Sequence, residues 1–304
     1  MENRKFYAMS HLAVPAMNSI SLANESLSLE LLPSVGGKIS SLIDRSSGQE
    51  WLWTNPWLPL RQPVYGKSYV GSLDFGGWDE IFPSVDPCRI PTPGGESMVP
   101  DHGDLVQMPW RVVSSGEDHV EMEVEGRSLP FLFRRRLELD GARIRLHYSV
   151  ENLADFAFPW LWCAHPLVPL DADLSLEAGA PFQVLYASGA AAELQGRKVT
   201  WNELPARSEC WAAKLFSEKG AVGRVRVSKG NGTSLALEWD SSDIPYLGLW
   251  VNNGGWSGCG SEPYFNLGIE PATLPIDNLA AAENPPLLQP RETRHWKLDV
   301  LLNP

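Results

Sequence analysis

Two histidines and one glutamate stand where this sequence breaks its own pattern. His102 lies in Pro100-Asp-His-Gly-Asp104, a proline–glycine turn that places it on a loop and not on a strand face. His165 ends the apolar run Pro159-Trp-Leu-Trp-Cys-Ala-His-Pro-Leu167, where Pro166 holds it extended. Glu270 closes another apolar run, Tyr264-Phe-Asn-Leu-Gly-Ile-Glu-Pro-Ala-Thr273. A fourth segment, Leu73-Asp-Phe-Gly-Gly-Trp-Asp-Glu-Ile-Phe-Pro83, gathers Asp74, Asp79 and Glu80 around Trp78. Imidazole and carboxylate are side chains that exchange protons with a substrate near neutral pH, when partial burial or a neighbour tunes them. Glu270 in an apolar run demands partners or a wet cleft, because a carboxylate buried alone is costly. Each segment also has a plain structural reading: a turn residue for His102, a core imidazole bonded to backbone for His165, solvated acids for 74–80. Asp101, His102 and Asp104 offer metal-ligating atoms, but ligands so close in sequence rarely converge unaided. No metal and no cofactor is expected.

The remainder of the chain explains what would carry these segments. Asp118–Glu125 alternates strictly, with Val120, Met122 and Val124 on one face. Arg143–Val150, Thr233–Trp239, Ser26–Leu32 and Trp296–Leu302 alternate likewise, as half-buried antiparallel strands do. Turn residues separate them, and Asp140-Gly141 between two alternating runs reads as a hairpin. Arg134-Arg-Arg136 follows the acidic run Glu121, Glu123, Glu125, so cross-strand charge pairing explains it better than a basic patch does. Helix signals are scarce; Ile276–Glu283 suffices for a turn or two before Pro285. The expected architecture is all-β, two large packed antiparallel sheets in one domain spanning 1–304.

Composition narrows the function. A formal net charge of −12 argues against nucleic acid, whose phosphates need a basic footprint. No stretch approaches the roughly 20 apolar residues of a membrane helix, and no apolar leader follows the charged start, so a cytoplasmic protein without membrane contact is expected. Cys88, Cys163, Cys210 and Cys259 are widely spaced, which favours reduced, mostly buried thiols over a zinc cluster or a redox pair. Thirteen tryptophans supply core, and some are suited to line a cleft against sugar rings. Phosphate-cradling glycine loops, dinucleotide fingerprints, nucleophile elbows and His-Glu-x-x-His are absent from the sequence.

Two histidines and a late glutamate, in that order in an all-β chain, resemble the aldose 1-epimerase (galactose mutarotase-like) family. Leu31-Leu-Pro-Ser-Val-Gly-Gly-Lys-Ile-Ser40 looks like its opening strand, turn and strand. Asp-His-Gly-Asp followed by Pro109-Trp110 is similar to its first histidine motif, and Ala164-His-Pro-Leu to its second. Gly268-Ile-Glu-Pro-Ala-Thr, with Asp277-Asn278 beyond it, is the closest match, to the catalytic glutamate segment. Two features differ: an Asn-Arg pair shortly before the first histidine is not found, and the second histidine precedes Pro166 instead of lying in a Tyr-Phe-Asn context. The resemblance implies a β-supersandwich that interconverts the anomers of a free hexose without a cofactor. It implies Glu270 as general base toward the C1 hydroxyl and His165 as general acid toward the ring oxygen. His102 would hydrogen-bond the ring oxygen or a neighbouring hydroxyl. Asp79 and Glu80 are expected to bind the sugar, with Trp78 and Trp250 as walls. Ring opening and closure swap the roles of acid and base, so both are expected to titrate near neutral pH. A monomer or homodimer with a small-molecule sugar as partner follows. Alternatives are a hexose-6-phosphate 1-epimerase, with Arg61 and Arg89 to clamp phosphate, or a non-catalytic carbohydrate-binding protein. A lyase or hydrolase on this scaffold commonly carries an added helical domain, which the sequence does not suggest.

Overall fold

A computed structural model describes residues 18–258 and 262–304; Cys259 and the charged start at Met1 lie outside that range. Among the described residues, eleven strands form one sheet and eight form a second. The alternating segments become strands with their apolar side chains inward. His119–Glu125 buries Val120, Met122 and Val124, and Arg143–Asn152 buries Ile144, Leu146, Tyr148 and Val150. Phe131–Asp140 pairs antiparallel with Arg143–Asn152, ending at Asp140 opposite Arg143. Gly141 supplies the positive φ of 58° that this tight connection uses.

The inner faces of the two sheets meet in an aromatic core. Trp162 and Phe82, which flank the larger-sheet strands Cys163–Pro169 and Trp78–Ile81, pack with Phe133, Tyr148 and Trp296 from the smaller sheet, and the Tyr148 and Trp296 rings stack at 5.6 Å. Arginines 134–136 divide by strand alternation. Arg134 Nε donates to Glu123 at 2.9 Å, and Arg136 approaches Glu121 at 3.6 Å, both on the outer face. Arg135 points inward and meets Glu80 of the other sheet at 3.2 Å with neither side chain exposed. Cross-strand pairing therefore accounts for two of the three; the third bridges the sheets.

Among the described residues, helix is confined to Tyr69–Ser72 and short 3-10 turns, one of them Leu279–Ala281 inside the expected 276–283 segment. Among the described residues, no helix is long and apolar enough to cross a membrane. Cys88 and Cys163 are buried free thiols, whereas Cys210 is exposed.

Candidate functional site

The site lies on the outer face of the larger sheet. Its central strands run in the order Trp78–Ile81, Cys163–Pro169, Phe265–Ala272, Tyr246–Asn253, Trp211–Ser217 and Phe182–Gly189. Register places Leu167 opposite Gly268, Gly268 opposite Trp250, Trp250 opposite Lys214, and Lys214 opposite Tyr186. Residues directly opposite share a face, so one row of side chains crosses five strands. His165 and Glu270 lie two positions further along their strands and therefore rise from that same face. Gly248 pairs with Glu270, and a Cβ there would come within 3.1 Å of Glu270 Oε2; one at Gly268 would come within 3.1 Å of Oε1. These two glycines leave the carboxylate its space.

A cavity of about 410 Å³ opens over this row. Tyr69, Asp74, His102, His165, Lys214, Trp250, Glu270 and Asp277 are among its lining residues. The volume falls in the usual range for small-molecule sites, roughly 300–1,000 Å³. His102, His165 and Glu270, far apart in sequence, thus converge. The imidazole rings of His102 and His165 lie 5.9 Å apart at 90°, and His165 Nε2 stands 3.7 Å from Glu270 Oε1. That last gap is too long for a hydrogen bond.

Glu270 and His102 are held from behind. Lys214 Nζ ion-pairs with Glu270 Oε2 and reaches Asp277 Oδ1 at 3.0 Å. Burial by itself would lower the Lys214 pKa, but Asp277 and Glu270 outweigh it and keep the ammonium protonated well above its ordinary range. Glu270 Oε1 has no hydrogen-bond partner, although the residue is 1% exposed. His165 is 7% exposed; burial, with the neighbouring charges of His102 and Lys214, pushes its pKa down to about 3. It is a neutral imidazole at physiological pH, contrary to the expectation of titration near neutrality.

His102 sits in the left-handed region at φ 60°, an uncommon conformation for a residue with a Cβ. Its backbone N–H donates to Val85 O at 2.7 Å. Its Nδ1 pairs with Asp101 Oδ1 at 2.7 Å, and its ring stacks on Tyr69 at 3.9 Å. Asp101 also accepts from Tyr69 N and Ser68 Oγ. Burial raises the Asp101 pKa, but the His102 contact and these donors outweigh it, so the carboxyl lies below its ordinary value. Asp104 turns away to Tyr65 Oη and to the backbone N–H groups of Arg127 and Ser128. The Asp101–His102–Asp104 set therefore diverges, and among the described residues no group of three or more His, Cys, Asp or Glu is arranged to hold a metal ion.

The expected sugar-binding residues divide by strand parity. Trp250 lines the cavity, with Tyr186 stacked on it at 6.2 Å and Trp256 edge-on at 5.7 Å. Trp78 and Glu80 pair with Pro166 and Ala164, which puts them on the inner face. Trp78 is core. Glu80 is 0% exposed and accepts from Arg135, Tyr148 Oη and Trp162 Nε1, so neither residue lines the cavity. Asp79 is opposite His165 and rises from the correct face, but Tyr69 covers it. Its Oδ2 accepts from Lys38 Nζ and Tyr69 Oη, each at 2.6 Å. Asp79 therefore fixes the tyrosine on which His102 stacks, instead of reaching the cavity.

Lys214, Asp74 and Tyr69 were not singled out as site residues, and Asp277 carried no role. Lys214 had a visible signal, a lone cation in Trp211-Ala-Ala-Lys-Leu-Phe-Ser217, a strand buried along its whole length. Tyr69 had none, because its place depends on how the 55–77 connection folds back over the sheet.

Neither a protein-family model nor a curated protein sequence matches the chain. Solved structures do match in fold. A protein from Synechocystis sp. PCC 6803 superposes with a TM-score of 0.72 at 16% identity, covering 99% of both chains. A galactose mutarotase-like protein from Lactobacillus casei ATCC 334 gives 0.69 at 14% identity, covering 94% of this chain and 100% of that one. A galactose mutarotase related enzyme from Lactobacillus acidophilus gives 0.65 at 13% identity, covering 94% and 97%. The fold is thus the all-β galactose mutarotase-like sandwich.

Proposed function

We propose that the chain is an aldose 1-epimerase, exchanging the anomers of a free aldose by acid/base ring opening and closure. The observation that carries this reading is the convergence of His102, His165 and Glu270 on one sugar-sized cavity, with His165 Nε2 3.7 Å from a Glu270 Oε1 that has no hydrogen-bond partner. Lys214 occupies Oε2, so Oε1 is the oxygen left to take the proton from O1. His165 Nδ1 has no partner, and Nε2 faces the carboxylate. The group that protonates the ring oxygen is the imidazolium form of this ring, which takes up its proton in the sugar-bound site beside Glu270, gives it from Nε2 and returns to neutral imidazole. With the two transfers the ring opens, C1 rotates about C1–C2, and closure on the other face returns both protons. His102 has Nδ1 engaged by Asp101 and offers Nε2 to the ring oxygen or an adjacent hydroxyl. Trp250 supplies a flat wall for the C–H face of the sugar.

Polarimetry on freshly dissolved α-glucose and α-galactose tests the proposal. Catalysed relaxation that drops by about 10²–10⁴-fold in Glu270→Gln is the expected result. Absence of acceleration with every common aldose overturns it, and sugar affinity that survives Glu270→Gln without any turnover to lose favours a binding protein. The hexose-6-phosphate alternative finds no support: Arg61 and Arg89 do not line the cavity, Arg89 is paired with Glu96 in solvent, and the lining Lys214 is already shared by two carboxylates.

A further inference from the structure

The cavity holds a carboxylate that the proposed proton transfers leave unused. Asp74 lines it, is 5% exposed, and its Oδ1 has no hydrogen-bond partner. The backbone around it is rigidly held. Its N–H donates to Tyr69 O at 2.9 Å, its own carbonyl accepts from Asn55 Nδ2 at 2.8 Å, and the following Gly76 and Gly77 take φ values of 80° and 81°. A Cβ at Gly76 would collide with Trp53 O at 2.1 Å, so this turn admits no looser packing. The nearby charges that act on Asp74 are Lys38, His102 and Asp79, and Lys38 is already committed to Asp79 and to Gly76 O. An oxygen that is buried, fixed and unmatched is unfavourable in the empty protein, because the lost hydration is not replaced. Such cost persists where a ligand supplies the missing donor.

We propose that Asp74 is a substrate-binding residue, its free oxygen accepting a hydroxyl or ammonium hydrogen of the sugar at a carbon other than C1. The inference rests on reading this cavity as a sugar site, but not on turnover. It also sets substrate class. Asp74, Asp86, Glu270 and Asp277 surround the cavity with Lys214 as the lining ammonium, so neutral or amino sugars are taken and phosphorylated or carboxylated ones are refused.

The test measures sugar affinity by calorimetry for wild type and Asp74→Asn, using glucose, the series of monodeoxyglucoses, glucosamine and glucose 6-phosphate. Polarimetry on the same samples reports turnover separately. The expected result is that one monodeoxy sugar binds wild type about tenfold or more weakly than glucose, as loss of a hydrogen bond to a charged group would give. In Asp74→Asn that same sugar and glucose bind alike. A glucosamine preference that vanishes in the variant identifies an ammonium as the donor; none identifies a hydroxyl. Wild-type affinity falls below pH about 6, where burial raises the Asp74 carboxyl, while the variant shows no such fall. If Asp74→Asn keeps the wild-type deoxy-sugar pattern, or if glucose 6-phosphate binds as well as glucose, the assignment is wrong even though mutarotation proceeds. Asp74-dependent binding without mutarotation removes the enzymatic reading and leaves this one standing; no sugar binding at all removes both. Asp74→Ser serves as the second variant, with the same expected loss.

Discussion

His165 and Asp74 are both titratable groups displaced by burial, in ways that make opposite pH signatures. The His165 pKa is about 3 in the fold against an ordinary 6.5, so the unfolded chain binds the extra proton more readily. That contribution to stability is complete above pH 6.5 and is lost as pH falls toward 3, up to roughly 4–5 kcal/mol. His165→Gln therefore has a flatter unfolding free energy between pH 6.5 and 4 than wild type, measured by urea titration. Asp74 is raised from 3.8 to about 6, chiefly by burial. Its ionisation costs the fold nothing below pH 3.8 and up to about 3 kcal/mol above pH 6. Asp74→Asn is accordingly expected to melt higher than wild type at pH 8, with the difference closing by pH 4. A residue kept only for packing would show the reverse at pH 8, since its replacement leaves contacts unmade.

At the scale of elements, the cleft is a consequence of strand alternation and of what covers each face. Glu80 and Asp79 are adjacent in sequence yet lie on opposite sides of the sheet, one locked to Arg135 between the sheets and the other beneath Tyr69. Removing one partner of the buried Glu80–Arg135 pair leaves an uncompensated charge. Glu80→Ala or Arg135→Ala is expected to cost about 3–5 kcal/mol. A Glu80→Leu/Arg135→Leu double variant should recover much of that loss, as a double-mutant cycle of denaturation midpoints will show. The glycines opposite and beside Glu270 are matched to the site in the same way. Gly248→Ala pushes on Glu270 Oε2 and Phe216, so it should lower turnover through the displaced carboxylate while the melting temperature changes by only a few degrees.

For the whole molecule, the net charge of −12 and the acid-lined cavity act together on association. A neutral aldose feels no steering, so kcat/KM should stay constant between 10 mM and 300 mM salt at the order-of-magnitude level where screening changes markedly. Strong salt dependence with glucose or galactose would contradict a neutral substrate. Much of the architecture was legible from the linear chain. Period-two alternation in 118–125, 143–150 and 233–239 reports which side chains are apolar-facing, because a strand reverses its side chains at every residue. The break in that pattern at His102, His165 and Glu270 marked the three side chains that the cavity gathers. What alternation cannot state is which of two faces belongs to the cleft, since it labels faces only relative to one another. Trp78 and Glu80 therefore went to the core, where sequence had suggested sugar contacts. Nor does local sequence foretell that Tyr69 closes over Asp79, that Lys214 and Asp277 meet Glu270, or that His165 loses its water and with it its proton affinity. Those outcomes come from long-range register and from desolvation by distant segments, which exist only once the sheets have closed on each other.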